Sequence, residues 1–350
     1  MGHLKLDKQI TQLKKVTILM HALSDGNDYY FSVLVSLYPK EKKAALFFVN
    51  PLSQFETETA SLEKLKSGAI KTVEKELSKT LGFSPNYTIT VKEDAFKRIV
   101  DLVGGLPIYF DPKTTLSSEK YDRPLGESYI LDGEDAYDYL TYLPSKNGLE
   151  YVHRLEKQES AILTFYSQVF KNKDLIKKQI LNYFFTLINT NLEESEFATL
   201  LEFLSNEEIY FGISELPGEL QAVPKTNEFV LKIRSDTAKI AYKKFEADVL
   251  SEFFADTERT RTEILNGTEI NGLAKRAKST LNERRIKVLT VENAWNHNFK
   301  ETIILDRSGN TKVSTKVSEA LGTKNLFYVI RKELGLDVTI VLGEDFDKTK

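Results

Sequence analysis

The chain has 350 residues, 41% of them apolar and 28% charged, with a net charge of −3 and no cysteine. That length accommodates two globular domains. The slight acidity supplies no basic stripe to neutralise phosphates, so nucleic acid is excluded as a partner, and the missing thiols exclude disulfides, thiolate metal sites and thiol nucleophiles. Met1-Gly2-His3 reads as an added leader rather than a biological start, so an N-terminal signal or membrane anchor is expected to have been lost ahead of it. No apolar run reaches the ~18 residues of a membrane span.

Residues 16–23, 30–37 and 43–49 are β-rich, and the turn Tyr38-Pro-Lys-Glu-Lys42 joins the last two as a hairpin. Leu62, Leu65, Ala69, Val73 and Leu77 recur at helical spacing and predict one amphipathic helix ending near Gly82. A strand over 87–91, a helix over 92–103, the Gly104-Gly105 break and a strand over 106–110 follow. From Gly133 to about Ser205 the chain is mostly helical, and its longest piece, 149–170, sets Leu155, Ile162, Phe165 and Val169 on one face. Strands over 209–213 and 229–233 and a helix over 235–254 complete a first domain, 15–254. Strands alternating with helices argue for a layered α/β sheet.

The polar stretch Ala255-Asp-Thr-Glu-Arg-Thr260 marks the boundary, and strand–helix alternation restarts in a second domain, 258–346. Its elements are a first strand ahead of Gly267, a helix over 273–281, strands over 286–291 and 302–305, a helix over 313–321 and a strand over 338–342. Gly267 and Gly272 bracket the first strand-to-helix turn, where the sequence predicts φ > 0.

Two segments of the second domain carry a family resemblance: Thr260-Arg-Thr-Glu-Ile-Leu-Asn-Gly-Thr-Glu-Ile-Asn-Gly-Leu-Ala274 and Asp337-Val-Thr-Ile-Val-Leu-Gly-Glu-Asp-Phe346. In the first domain the matching segments are Val35-Ser-Leu-Tyr-Pro-Lys-Glu-Lys-Lys43, Lys71-Thr-Val-Glu74 with Leu81-Gly82, Phe96-Lys-Arg-Ile-Val-Asp-Leu-Val-Gly-Gly105, Leu131-Asp-Gly-Glu-Asp-Ala136 and Arg154-Leu-Glu-Lys-Gln158. Thr190-Asn-Leu-Glu-Glu-Ser195 and Leu216-Pro-Gly218 follow in the same order. In that order the segments resemble LytR-CpsA-Psr (LCP) cell-envelope proteins with a LytR C-terminal domain. The resemblance implies a layered α/β domain followed by a small α/β domain. It also implies an extracytoplasmic place, in the periplasm or cell envelope, with membrane anchoring through a segment N-terminal to this chain.

Enzymes of that family move a glycan phosphate from a polyprenyl-pyrophosphate carrier to peptidoglycan, using carboxylate-held Mg²⁺ and several arginines against the developing charge. Residue by residue, most of that equipment is replaced here. Tyr30, with Asp28 two positions earlier, stands where the family has an acid opening its second strand. Asn50-Pro51-Leu52 stands where it has a proline-arginine-aspartate turn, and Thr141 and Leu143 stand where it has paired arginines. Only Arg154, Lys157 (in place of an arginine) and Gln158 keep the last motif.

The resemblance therefore implies a degenerate domain that binds polyprenyl-phosphate lipid, peptidoglycan or another envelope glycan, or an envelope protein partner, without catalysis. No cofactor is expected, Mg²⁺ being the family's. One alternative is an active glycan phosphotransferase whose site is rebuilt from His21, Asp28, Arg154 and Lys157; another is a purely structural envelope scaffold.

Arg154, Lys157 and Gln158, at i, i+3 and i+4, share one side of a helix and could receive a phosphate together, the alternative being a solvated face. His21 could replace a lost cation and Asp28 could hold a metal, or both belong to a polar loop. Tyr137, Tyr139, Tyr142, Phe184 and Phe185 could line a groove for a lipid tail or sugar, or fill the core. Asn266-Gly-Thr could bind an anion at a helix start, or simply connect. Lys275, Arg276, Lys278, Arg284 and Arg285 give the second domain a local positive surface.

Overall fold

In the computed structural model, residues 6–112, 124–172 and 178–348 are described; Met1-Gly2-His3 lies outside them. The chain divides into two compact units. The first holds residues 1–106, 131–158 and 165–250; the second holds 107–130, 159–164 and 251–350.

The first unit is built on a six-stranded mixed sheet. At its centre β1 (Val16–Leu23), β2 (Tyr29–Tyr38) and β3 (Lys43–Val49) form an antiparallel meander, with Tyr38 paired to Lys43 across the hairpin turn. Tyr87–Lys92 adds to β1 and Tyr210–Glu215 to β3, both in parallel. Residues 44–49 of β3 are all buried, as expected of a strand covered on both faces. One covering layer is the helix pair Gly68–Leu81 and Ser235–Leu250, whose Val73, Leu77, Ala238 and Tyr242 pack with Leu19, Leu34 and Phe47.

One expectation is corrected here, and two predicted strands are present but pair outside the main sheet. The helix predicted from Leu62 onward is split: Leu62–Leu65 is one turn, Lys66 takes φ 49°, and Gly68–Leu81 follows, ending at Gly82 in the left-handed conformation. The predicted strand over 229–233 lies outside the main sheet, in a three-stranded one with Gly218–Ala222 and Ser53–Gln54. The strand Leu106–Tyr109 likewise leaves the main sheet and pairs with Ser128–Leu131. Periodicity identifies a strand but carries no record of which sheet it joins.

The second unit has a five-stranded sheet in the order Val288–Asn293, Thr262–Asn266, Val338–Leu342, Ile303–Asp306, Leu326–Tyr328. The helices Leu273–Glu283 and Thr311–Leu321 bury Leu273, Ala277, Leu281, Val313 and Val317 against one face. Tyr109 joins Leu265, Leu305 and Val341 in a second cluster. Beside it sits a fully buried ion pair, Arg307 with Asp111. Arg307 also donates from Nε to Thr339 Oγ1 at 3.0 Å, and Thr339 donates to Glu263 at 2.8 Å.

The two turn glycines separate in role. Gly272 has φ +75°, as predicted. Gly267 does not have positive φ; a Cβ there would lie 2.6 Å from the Leu342 carbonyl oxygen and 2.6 Å from the Phe299 ring. Close approach, not backbone freedom, requires it. Gly267→Ala should therefore destabilise by roughly 1–3 kcal/mol through overpacking, and Gly272→Ala by about 1 kcal/mol through left-handed strain. Denaturant midpoints of the two variants check the order; equal losses would mean that the Gly267 contact relaxes freely.

Candidate functional site

The site is assembled where the helix Gly133–Thr141 meets the helix Glu93–Leu102. A Cβ on Gly133 would fall 2.1 Å from the Lys97 carbonyl oxygen, and the Gly133 amide donates to Asp101 Oδ1 at 2.7 Å. Asp132 caps the helix by accepting from the Asp135 amide at 2.9 Å. This approach sets Tyr137 against Phe96, ring centres 6.3 Å apart, with the Lys97 ammonium 4.7 Å from the Tyr137 ring centre.

The Tyr137 hydroxyl donates to Glu93 Oε2 at 2.8 Å and lies 2.7 Å from the Tyr30 hydroxyl. A phenol has one proton, and that of Tyr137 goes to the carboxylate, so Tyr30 donates to Tyr137. Lys97 binds Glu93 at 2.9 Å and Glu134 at 2.8 Å. Its hydrogen bond holds the Glu93 carboxyl below the usual carboxylate range. Tyr30 is thus the first link of a Tyr30–Tyr137–Glu93–Lys97 chain.

Arg154 projects from the helix Gly148–Lys171, which Asn147 caps by accepting from the Glu150 amide at 2.9 Å. Its guanidinium carbon lies 5.5 Å from the Tyr30 ring centre and 4.9 Å from that of Tyr151. The residue is only 6% exposed, and its Nε has no hydrogen-bond partner. Among the described residues no carboxylate pairs with it. Glu63 contributes to its potential but accepts the Tyr151 hydroxyl proton. Burial lowers the Arg154 pKa, yet guanidinium remains charged. Each cation–π contact contributes ~0.5–2 kcal/mol, against a burial penalty of several kcal/mol per ion. The rings soften that penalty without offsetting it.

Lys157 and Gln158 have occupations of their own. Lys157 Nζ donates to the Tyr139 carbonyl at 2.8 Å and to that of Tyr142 at 3.4 Å; Gln158 Nε2 donates to the Leu140 carbonyl at 3.1 Å. Together they satisfy carbonyls left open at the end of the helix Gly133–Thr141. Burial first, and the Arg154 charge second, bring the Lys157 pKa down to about 7. The Gln158 Oε1 is buried without a partner. Arg154 and Gln158 are both buried, so a solvated face does not describe them.

His21 and Asp28 are not brought to this group. His21 lies in β1, 2% exposed, its Nδ1 2.7 Å from Ser32 Oγ. Burial depresses its pKa to about 4, so the expected replacement of a cation fails: the imidazole is neutral. Glu74 lies 3.8 Å from Nε2, too far for a hydrogen bond to the neutral ring. Asp28 is exposed and accepts from the Ser24 hydroxyl at 3.3 Å. A phenol committed to Tyr137 and an outlying carboxylate do not fit the carboxylate set that Mg²⁺ requires.

The remaining positions are settled by packing. Leu52 is in the core, the Pro51 carbonyl accepts from the Glu63 amide at 2.9 Å, and the Thr141 hydroxyl returns to the Tyr137 carbonyl at 2.8 Å. Tyr139 and Phe184 are buried as core residues. In the Asn266 turn, Asn266 Oδ1 accepts from the Thr268 amide and hydroxyl, so the turn is occupied as a connector. Sequence reasoning missed Glu93, Lys97, Tyr151 and Glu63. The Glu93/Lys97 spacing of i, i+4 was a usable signal; the Tyr30–Tyr137 bond, spanning 107 residues, left none.

The profile of the LytR_cpsA_psr family matches residues 62–244, and that described as LytR cell envelope-related transcriptional attenuator matches residues 259–346. Among solved structures, TagT bound to LIIa-WTA is similar with a TM-score of 0.55 and 14% identity, over 71% of this chain and 94% of that one. B. subtilis TagV gives a TM-score of 0.53 and 16% identity, over 68% of this chain and 98% of that one. A transcriptional regulator from Enterococcus faecalis gives a TM-score of 0.54 and 16% identity, over 69% and 90%. At these identities the likeness is one of fold. No curated protein matches the chain.

The buried His21 has a consequence for stability. Its folded pKa of about 4 lies below the ordinary 6.5, so between those values the unfolded chain binds more protons. Stability should therefore fall as pH drops from about 6.5 to 4, by on the order of 3 kcal/mol from this residue. Urea unfolding of wild type and His21→Gln at pH 7.5 and 4.5 measures it: the variant should lose less on acidification. Parallel losses would assign acid sensitivity to other groups.

Proposed function

The chain belongs to the LytR_cpsA_psr family of cell-envelope-related proteins, and from that premise we propose that its first unit binds a phosphate-bearing envelope ligand without transferring it. The ligand class is a polyprenyl-phosphate lipid or an envelope glycan such as peptidoglycan. An extracytoplasmic location, with anchoring through a segment N-terminal to this chain, belongs to the same reading, as does docking of an envelope protein partner. TagT, similar in fold, is seen bound to LIIa-WTA, which supports an envelope-glycan ligand.

One observation carries the reading: Arg154 is buried and charged, with an open Nε and aromatic rings where a carboxylate would neutralise it. A phosphate reaching it would supply the missing counter-charge, through charge-assisted hydrogen bonds of about 1.5–3 kcal/mol each. Against catalysis stand Pro51, Leu52, Thr141 and Leu143, none charged, and the Tyr30 phenol, whose proton is already committed. Loss of one electrostatic donor costs ~10²–10³ in rate, and several are missing together.

A polyprenyl phosphate at 100 times its Kd should stabilise the protein by about 2.7 kcal/mol in a thermal shift. Arg154→Ala should weaken binding tenfold or more. Unchanged affinity would leave Arg154 a packing residue. With Mg²⁺ and a glycan on a polyprenyl-pyrophosphate carrier, turnover should stay at background; turnover abolished by Arg154→Ala would select the transferase instead.

Lys157 adds a pH signature. An anion nearby favours its charged form and raises its pKa from about 7, so binding at pH 7.5 should take up protons. Affinity should therefore fall as pH rises above 7. Calorimetry in two buffers of different ionisation heat measures the uptake, which Lys157→Met should remove.

A further inference from the structure

Three asparagines are followed directly by glycine: Asn147-Gly148, Asn266-Gly267 and Asn271-Gly272. Asparagine in that position is open to one spontaneous reaction. The backbone nitrogen of the next residue attacks the side-chain Cγ, and glycine, lacking Cβ, leaves that approach unhindered. The reaction needs an amide N–H that can lose its proton to water and a side chain free to swing back. All three pairs are equal as sequence, and the fold makes them unequal.

Two of the pairs are held. Gly267 is buried, and its amide donates to the Leu342 carbonyl at 3.0 Å. Asn266 Oδ1 accepts from the Thr268 amide and hydroxyl, while its Nδ2 donates to the Ile270 carbonyl at 3.2 Å. Asn147 caps its helix through Oδ1 and donates from Nδ2 to Ser145 Oγ at 2.7 Å. Gly148 beside it is buried, and a Cβ there would lie 2.7 Å from the Leu220 side chain.

Asn271-Gly272 is held at neither point. Both residues are exposed. Among the described residues, neither the Asn271 side chain nor the Gly272 N–H has a hydrogen-bond partner. Gly272 sits at φ +75°, and Arg276 Nη1 comes no nearer than 3.9 Å to the place of a Cβ.

We infer that Asn271 is a site of spontaneous deamidation in the second unit, with water as the co-reactant. The Gly272 nitrogen, its proton lost to hydroxide, bonds to Asn271 Cγ. The Cγ–Nδ2 bond then breaks, and Nδ2 takes up a proton and leaves as ammonia. Water opens the resulting five-membered imide. Hydrolysis between the Gly272 nitrogen and Cγ gives aspartate; hydrolysis between that nitrogen and the Asn271 backbone carbonyl carbon gives isoaspartate. Either product carries a carboxylate where the helix Leu273–Glu283 begins. That helix has no side-chain cap bond and no acid in its first turn, so a negative charge there is favourable and the aspartate form stays folded. The inference does not rest on the Arg154 group or on its ligand.

The full chain would be incubated at neutral and alkaline pH, folded and in guanidinium chloride, then cut with trypsin and sequenced by mass spectrometry. Trypsin releases residues 262–275, holding both Asn266 and Asn271, and residues 147–154, holding Asn147. In the folded chain Asn271 should convert roughly tenfold or more faster than the other two, whose groups are released only by local opening. Its rate should rise at alkaline pH. In guanidinium chloride the three should convert at similar rates. Asn271→Gln, which demands a slower six-membered closure, should remove the acidic isoform that accumulates and leave the other two asparagines unchanged. Equal conversion of the three in the folded chain would overturn the inference. A preference for Asn271 that persists in denaturant would overturn it too, as would an Asn271 that stays intact while the denatured control converts.

Discussion

The first unit's chemistry is organised by one constraint: a guanidinium taken out of water must find compensation. Arg154 finds only part of it, in Tyr30 and Tyr151 rather than in a carboxylate, and both phenols are themselves anchored, to Tyr137 and to Glu63. The anchoring depends on the close approach of Gly133 to the Lys97 carbonyl, which brings Tyr137 within reach of Glu93. A bulkier residue at 133 would move the helix that carries Tyr137 and whose terminal carbonyls hold Lys157 and Gln158. Aromatic packing, helix capping and residual positive charge therefore form one connected arrangement.

The positions around that arrangement are satisfied locally. Leu52 contributes apolar volume and the Thr141 hydroxyl bonds back along its own helix, so neither position needs an external partner. Groups satisfied in this way carry no charge to desolvate. Arg154 differs: it is a buried cation whose Nε has no hydrogen-bond partner.

The second unit handles burial of charge in the opposite manner. Arg307 is fully buried against Asp111 and tied through Thr339 to Glu263, so its charge is answered within the protein. Breaking such a pair by removing one partner costs about 3–5 kcal/mol, and the requirement holds Asp111 to the C-terminal sheet within this unit. Its surface cations are answered unevenly: Arg259 and Arg261 pair with Asp256 and Asp337, whereas among the described residues Lys275, Lys278, Arg284, Arg285 and Lys287 have no ion-pair partner. Buried charge here serves the fold, and exposed charge remains available for contact.

Much of the secondary structure was legible in the sequence because burial imposes a period. β1, β2, β3 and the helix Gly148–Lys171 all follow from alternation or three-to-four spacing of apolar residues. The motif order likewise identified the family. The sequence by itself thus determined the α/β class, the family and the inventory of charges. Only the tertiary structure decided where those charges went. It buried His21 as a neutral strand residue and sent Leu106–Tyr109 to a separate sheet. It also left Arg154 without a counter-ion while Lys157 and Gln158 capped a helix. The reason is physical: periodicity records which face of an element avoids water, whereas the state of a charge depends on solvent exclusion and on partners that can lie more than a hundred residues away.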